Sequence, residues 1–202
     1  DSSLTLHHVF STVSFNIDAN LETLVSETEL KKISFLTTPN RALALFKIPE
    51  VKDVNTNTLI VALDAVRDPG NLGTIIRLCD WFGVKELICS EDTVDCYNPK
   101  VIQATMGSIT RVNISYVNLE AFLKATKETV YGAFMDGENV YKTTLSNKGV
   151  LVMGNEANGV SQEIRDVVNS KISIPRFGDV KETESLNVAT ATAILLSEFK
   201  RG

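Results

Sequence analysis

Past residue 58 the chain alternates short apolar runs with longer segments of helical spacing, and this alternation limits the fold more than any other feature. Strands are predicted at 59–64, 86–90, 111–116, 130–135, 149–153 and 171–174. Helices are predicted at about 71–82, 99–107, 118–127, 161–168 and 186–200. The runs are too short for buried helices, and "LIVALDAV" is too apolar for a strand with one wet face. The pattern predicts an α/β fold, a mostly parallel sheet with helices on both faces. Ligands of such sheets sit at the carboxyl ends of the strands, where the loops carry the chemistry. Before this region, residues up to about 50 read as a small α/β fragment with a helix near Glu27 to Ile33. The polar stretch "EVKDVNTNTL" separates the two parts, which places a boundary near residue 55 and divides the chain into 1–55 and 56–202.

Composition removes several classes of function. With 202 residues, 44% of them hydrophobic and 22% charged, the chain can bury a substantial core. No apolar run approaches the roughly 20 residues of a membrane span, and no charged-then-apolar leader opens the chain, so no membrane partner and a cytoplasmic location are expected. Cys79, Cys89 and Cys96 lack C-x-x-C spacing and are expected to be reduced, buried thiols. Only two histidines occur, His7 and His8, adjacent and near the start, which argues against a Ser-His-Asp triad, and no metal site is expected. A net charge of −5 rules out a chain-wide basic surface and leaves only a local one for nucleic acid.

Three loops follow strands and lead into helices: "RDPGNLGTIIR", "LVMGNEANGVS" and "SIPRFGDVKETESLNVATATAI". The first invites a dinucleotide reading, but Gly70 and Gly73 give G-x-x-G rather than G-x-G-x-x-G. That spacing removes a nicotinamide-dependent oxidoreductase. In the second, Gly154 directly after the strand would let a ligand approach the backbone, with Asn155 and Glu156 at the strand's mouth. In the third, Pro175 and Gly178 break the chain, and Ser185 or Thr183 is expected to cap the last helix.

Taken in order, the loops resemble one family. "NLGTIIR" is similar to N-x-G-x-I-x-R, "MGNEANGV" to G-x-E-x-x-G-V, and "IPRFG…SLNVATATAI" to I-P-x-x-G…S-L-N-V-x-x-A-x-A-I, the three motifs of the SpoU-type, TrmH-like RNA ribose 2'-O-methyltransferases of the SPOUT superfamily. The resemblance runs from Thr58 to the end, and includes "NPKVIQATMGSITRV" between the first and second motifs. It implies a C-terminal trefoil knot, S-adenosylmethionine as cofactor, a tRNA or rRNA substrate, and a homodimer with its active site across the interface. It also implies that residues 1–55 are part of an N-terminal RNA substrate-binding domain, on a looser match at "SETELKKISFLTTPNRALALF". The stretch "DVKETE" between Gly178 and Ser185 is longer than the family pattern.

The resemblance also assigns roles. Arg77 is the implied catalytic arginine. Because a guanidinium does not deprotonate in a protein, it is expected to clamp the target phosphate and favour the developing alkoxide. Arg77 lies six residues after Asn71, and both are expected to face the active-site mouth within about two turns. Asn71 would orient the ribose or hold the loop. Glu156, implied to be needed for activity, would fix the loops by accepting backbone or arginine hydrogen bonds, and Ser185 and Asn187 would order the third loop and face the reacting centre. For the cofactor, Gly154 leaves room, Ile174 and Leu186 flank the adenine, and Pro175 shapes the backbone. The competing reading is a non-catalytic RNA-binding protein that keeps the fold.

Overall fold

The structure is a computed structural model and describes residues 4–50, 52–178 and 185–201. The chain divides into two compact units, Asp1–Glu50 and Val51–Gly202. In the first, β1 (Leu6–Ser11) pairs parallel with β2 (Glu22–Leu24) and antiparallel with β3 (Ala42–Phe46). Between them α1 (Glu27–Ile33) starts on a reciprocal cap, in which the Ser26 side chain accepts from the Glu29 N–H and the Glu29 carboxylate accepts from the Ser26 N–H. His7 and His8 lie on β1, where His8 meets the Thr23 hydroxyl at 2.9 Å. No metal-binding cluster occurs among the described residues.

The second unit is built on β4 (Leu59–Leu63), β5 (Glu86–Ser90), β6 (Asn113–Val117), β7 (Val130–Asn139), β8 (Gly149–Met153) and β9 (Ser170–Ser173). Their order across the sheet is β6-β5-β4-β8-β7-β9, and each pairing is parallel. Every residue of β4, β5 and β8 is buried. Alternation then sorts them by face. Leu59, Val61, Leu63, Leu87, Cys89, Leu151 and Met153 pack into one core; Ile60, Ala62, Ile88, Val150 and Val152 pack into the other. The first core is closed by α2 (Pro69–Trp81), α3 (Pro99–Thr105) and α6 (Val188–Arg201), the second by α4 (Leu119–Ala125) and α5 (Gln162–Arg165).

Several predicted bounds shift for local reasons. Helix α2 opens at Pro69, before the predicted 71, because the Asp68 carboxylate caps it by accepting from the Asn71 N–H at 2.7 Å. Helix α5 ends at Arg165 instead of 168, since Asn169 is drawn to β7: its N–H donates to the Val130 carbonyl at 3.1 Å, and its side chain accepts from the Val130 N–H at 2.9 Å. Strand β7 continues past 135, rejoining β9 after a register break, with Glu138 opposite Ile172. Asn187, not Ser185, caps α6, its side-chain oxygen accepting from the Ala189 and Thr190 N–H groups at 3.0 and 3.2 Å. Thr183 and the rest of "DVKETE" lie outside the described residues. Cys79, Cys89 and Cys96 are free and buried. Burial raises all three thiols, Cys79 to about 12 and Cys96 to about 11.

Gly73 is explained by the helix pair. A Cβ there would lie 2.4 Å from the Ala104 Cβ and 2.9 Å from the Val101 carbonyl oxygen, so α2 and α3 touch where neither side chain nor backbone can yield. Gly73→Val should cost about 1–3 kcal/mol or more, the usual range for overpacking, read as a lower midpoint in denaturant with unchanged slope. Wild-type stability in that variant would show that the helices part freely.

Candidate active site

The ends of β4 and β8 lie side by side, and the loops leaving them are tied together by polar contacts. The Asp64 N–H donates to the Met153 carbonyl at 2.9 Å, and the buried Asp64 carboxylate accepts from the Ser161 N–H at 2.6 Å. Gly154 leads into a closed turn in which Asn155 and Gly159 exchange backbone hydrogen bonds, each 2.9 Å. Glu156 sits exposed on this turn.

Glu156 then begins a chain of side-chain hydrogen bonds that joins all three loops. Its Oε1 accepts from Asn71 Nδ2 at 3.0 Å, and Asn71 Oδ1 accepts from Asn187 Nδ2 at 2.9 Å. Asn187 Oδ1 is turned to the first turn of α6, as described above. The direction of the chain follows from its head. A carboxylate only accepts, so Asn71 must present its NH₂ to Glu156 and its oxygen to Asn187.

Below this chain lies a cavity of about 660 Å³. It is lined by the second loop (Gly154 to Ala157, and Gly159), by Ile174, Pro175, Arg176, Phe177 and Gly178, and by Ser185, Leu186 and Asn187. Its remaining wall is apolar: Ala133, Phe134, Met135, Met153, Ile172, Val188, Ala191 and Leu195. Volume and lining suit a nucleoside-sized ligand, with apolar flanks for a ring and loop backbone for its polar edge.

Of the predicted residues, Gly154, Glu156, Ile174, Pro175, Ser185, Leu186 and Asn187 line this one cavity. Asn71 stands at its rim through its bonds to Glu156 and Asn187. Glu156 accepts from an asparagine side chain, where backbone or arginine donors were expected. Gly154 has a reason of its own: a Cβ there would fall 2.3 Å from the backbone of Gly159 and Val160. The close approach it permits is therefore that of its own turn.

Arg77 does not reach the cavity. Six residues along a helix advance about 240° from the Asn71 direction, and Arg77 lies exposed on α2 with Thr74 and Trp81, making no hydrogen bond or ion pair with any described residue. The wall from β7 and β9 carried no sequence signal. Phe134 and Ile172 are buried and Met135 is exposed, and the pairing of β9 beside β7 sets all three on the cavity wall with the third loop.

Comparison with known proteins bears on this geometry. Residues 58–197 match the SpoU rRNA Methylase family. The 23S rRNA (guanosine(2553)-2'-O)-methyltransferase RlmP of Bacillus subtilis (strain 168) is 33% identical over 193 residues, 91% of this chain and 76% of that protein. The structure of a protein from Porphyromonas gingivalis, of the TrmH family of RNA methyltransferases, superposes with a TM-score of 0.88 at 34% identity, over 98% of this chain and 84% of that one. An AdoMet-bound rRNA methyltransferase from Sinorhizobium meliloti gives a TM-score of 0.85 at 29% identity, over 98% and 81%.

If Glu156 serves by accepting the Asn71 hydrogen bond, a neutral acceptor should suffice. Glu156→Gln is expected to keep methyl transfer within about tenfold of wild type, whereas Glu156→Ala, which leaves Asn71 unpaired, should lose more. Loss in the glutamine variant equal to that in alanine would show that the charge itself is needed. The chain that carries this cavity and its three tethered loops belongs to the SpoU rRNA methylase family, a class of S-adenosylmethionine-dependent RNA ribose 2'-O-methyltransferases.

Proposed function

We propose that this protein methylates a ribose 2'-hydroxyl of ribosomal RNA as a cytoplasmic homodimer, with S-adenosylmethionine in the cavity of each protomer and Arg77 delivered from the other. The observation that carries this reading is the Glu156–Asn71–Asn187 chain at the rim of the cavity, which makes one site of three loops far apart in sequence. The 23S rRNA named for the Bacillus subtilis relative supports a ribosomal substrate.

Bound there, S-adenosylmethionine supplies an electrophilic methyl group on a sulfonium. Ile174 and Leu186 flank its ring, Gly154 and Pro175 shape the backbone around it, and Ser185 and Asn187 fix the third loop. In-line transfer requires the ribose oxygen to be aligned with that methyl group, and alignment is worth most when loops do not move. Arg77 grips the phosphate beside the target ribose with its planar fork and favours negative charge on the attacking oxygen. A guanidinium exposed on α2 that bonds no described residue is available to a partner.

The return of the chain supports the knotted reading. Strand β9 lies at the sheet edge, yet Asn187 is back beside Asn71, and α6 packs with α2 in the first core. The unit Asp1–Glu50 serves as an RNA-capturing module, with Lys31, Lys32, Arg41 and Lys47 as its cations. A non-catalytic RNA-binding role is the competing reading. Transfer of labelled methyl to ribosomal RNA decides between them, and labelling of transfer RNA alone would move the substrate.

Arg77→Ala should abolish transfer while leaving cofactor affinity within a few fold, about 1 kcal/mol or less. Mixed dimers locate the arginine. Ala191→Trp fills the cavity, so a dimer joining it to Arg77→Ala keeps one intact cavity facing one intact arginine. Activity should reappear on mixing two inactive parents; no recovery would place Arg77 in its own protomer's site. Reversing Lys31, Lys32 and Arg41 to Glu should weaken RNA binding and flatten its salt dependence by about one unit of slope per lost phosphate contact. Unchanged RNA affinity would remove the first unit from capture.

A further inference from the structure

Asn155 precedes the family's glutamate and makes two kinds of contact. Its Oδ1 accepts from the Ala157 and Asn158 N–H groups, at 2.9 and 3.2 Å, which shapes the turn that carries Glu156. Its Nδ2 reaches away from that turn and donates to the Ala65 carbonyl at 2.5 Å. Ala65 stands at φ +57°, left-handed backbone that costs a residue with a Cβ about 1–2 kcal/mol. Its N–H is held in turn by the Ser90 hydroxyl at 2.8 Å. The bend at Ala65 directs residues 66–68 toward the start of α2, where the Asp68 cap places Asn71 opposite Glu156. The first and second loops therefore meet twice: at their roots through Asn155 and Ala65, and at their tips through Glu156 and Asn71.

We propose that Asn155 is a positioning residue for methyl transfer, acting through the Ala65 carbonyl to set the separation at which Asn71 bonds Glu156. The inference rests on the function proposed above. The turn and the clamp use different atoms of one side chain, which makes them separable. Asn155→Asp keeps an acceptor for Ala157 and Asn158 but sets a carboxylate oxygen against the Ala65 carbonyl in place of a donor. Asn155→Ala removes both.

The test uses the full chain and measures three quantities on each variant: single-turnover methyl transfer to ribosomal RNA, S-adenosylmethionine affinity by calorimetry, and the thermal midpoint. The expected result for Asn155→Asp is a transfer rate lowered about tenfold or more, with cofactor affinity within about threefold and a midpoint near that of wild type. Ala65→Gly supplies the second arm, since glycine holds a left-handed bend without the clamp. Added to Asn155→Asp, it should restore at least about threefold of the rate. A wild-type rate in Asn155→Asp, or no gain from Ala65→Gly, overturns the proposal, as does a rate that falls only in step with cofactor affinity and midpoint in both Asn155 variants. A wild-type protein that transfers no methyl group to RNA fails the proposed function itself, before any variant is compared.

Discussion

Two parallel strands buried on both faces must end somewhere, and the polar groups at their ends cannot be left dry. That constraint at the ends of β4 and β8 organises the rest of the second unit. Water reaches this junction poorly, so the loops satisfy one another: Asp64 takes the Ser161 N–H, Met153 takes the Asp64 N–H, and Asn155 gives a hydrogen to Ala65. Once the two loops are joined at their roots, Asn71 and Glu156 are brought within hydrogen-bonding distance at their tips. The third loop then has a place to attach, through Asn187. The site is thus a by-product of satisfying backbone groups at a sheet end, with the cavity left where the loops part.

How much of this was legible in the sequence depends on whether the deciding contact is local. Strands β4, β5 and β8 were readable because a run buried on both faces is apolar at every position. Helix α1 was readable from its own capping residues. Gly73 was visible as an anomaly, a glycine inside a helix, but its reason is Ala104 in another element. The early end of α5 likewise depends on Asn169 reaching Val130. The resemblance carried the cavity's residues across, yet their hydrogen-bond partners are set only by the folded chain. Nothing local tells Asn71 to bond two other side chains, or Gly154 to make room for Gly159 and Val160.

Arg77 shows where helical geometry corrects a motif. A pattern treats Asn71 and Arg77 as one signature, and a short distance along a helix encourages placing them on one site. Six residues carry the second about 120° from the first around the helix axis, and Asn71 stands at the cavity rim while Arg77 lies outside the lining. On this helix Asn71 fastens two other loops through its side chain, and Arg77 lies exposed. Both ends of α2 are then used, and the buried stripe of Leu72, Ile75, Ile76 and Cys79 between them holds the helix to the sheet.

The chemistry that such a site can support follows from what lines it. Among the described residues around the cavity, Glu156 and Arg176 are the only charged ones, and Glu156 has one oxygen committed to Asn71. No histidine lines the cavity among the described residues. A hydroxyl with so weak an acidity would need a strong base if proton removal came first. Attack on a sulfonium methyl group asks less: the O–CH3 bond forms as the C–S bond breaks, the thioether leaves neutral, and the hydroxyl proton, made acidic as the oxygen gives up its electron pair, passes to water. The demand then shifts from full proton abstraction beforehand to alignment of the oxygen with the methyl group. Tethered loops supply that alignment. The fold accordingly spends its hydrogen bonds at the cavity on holding three loops together.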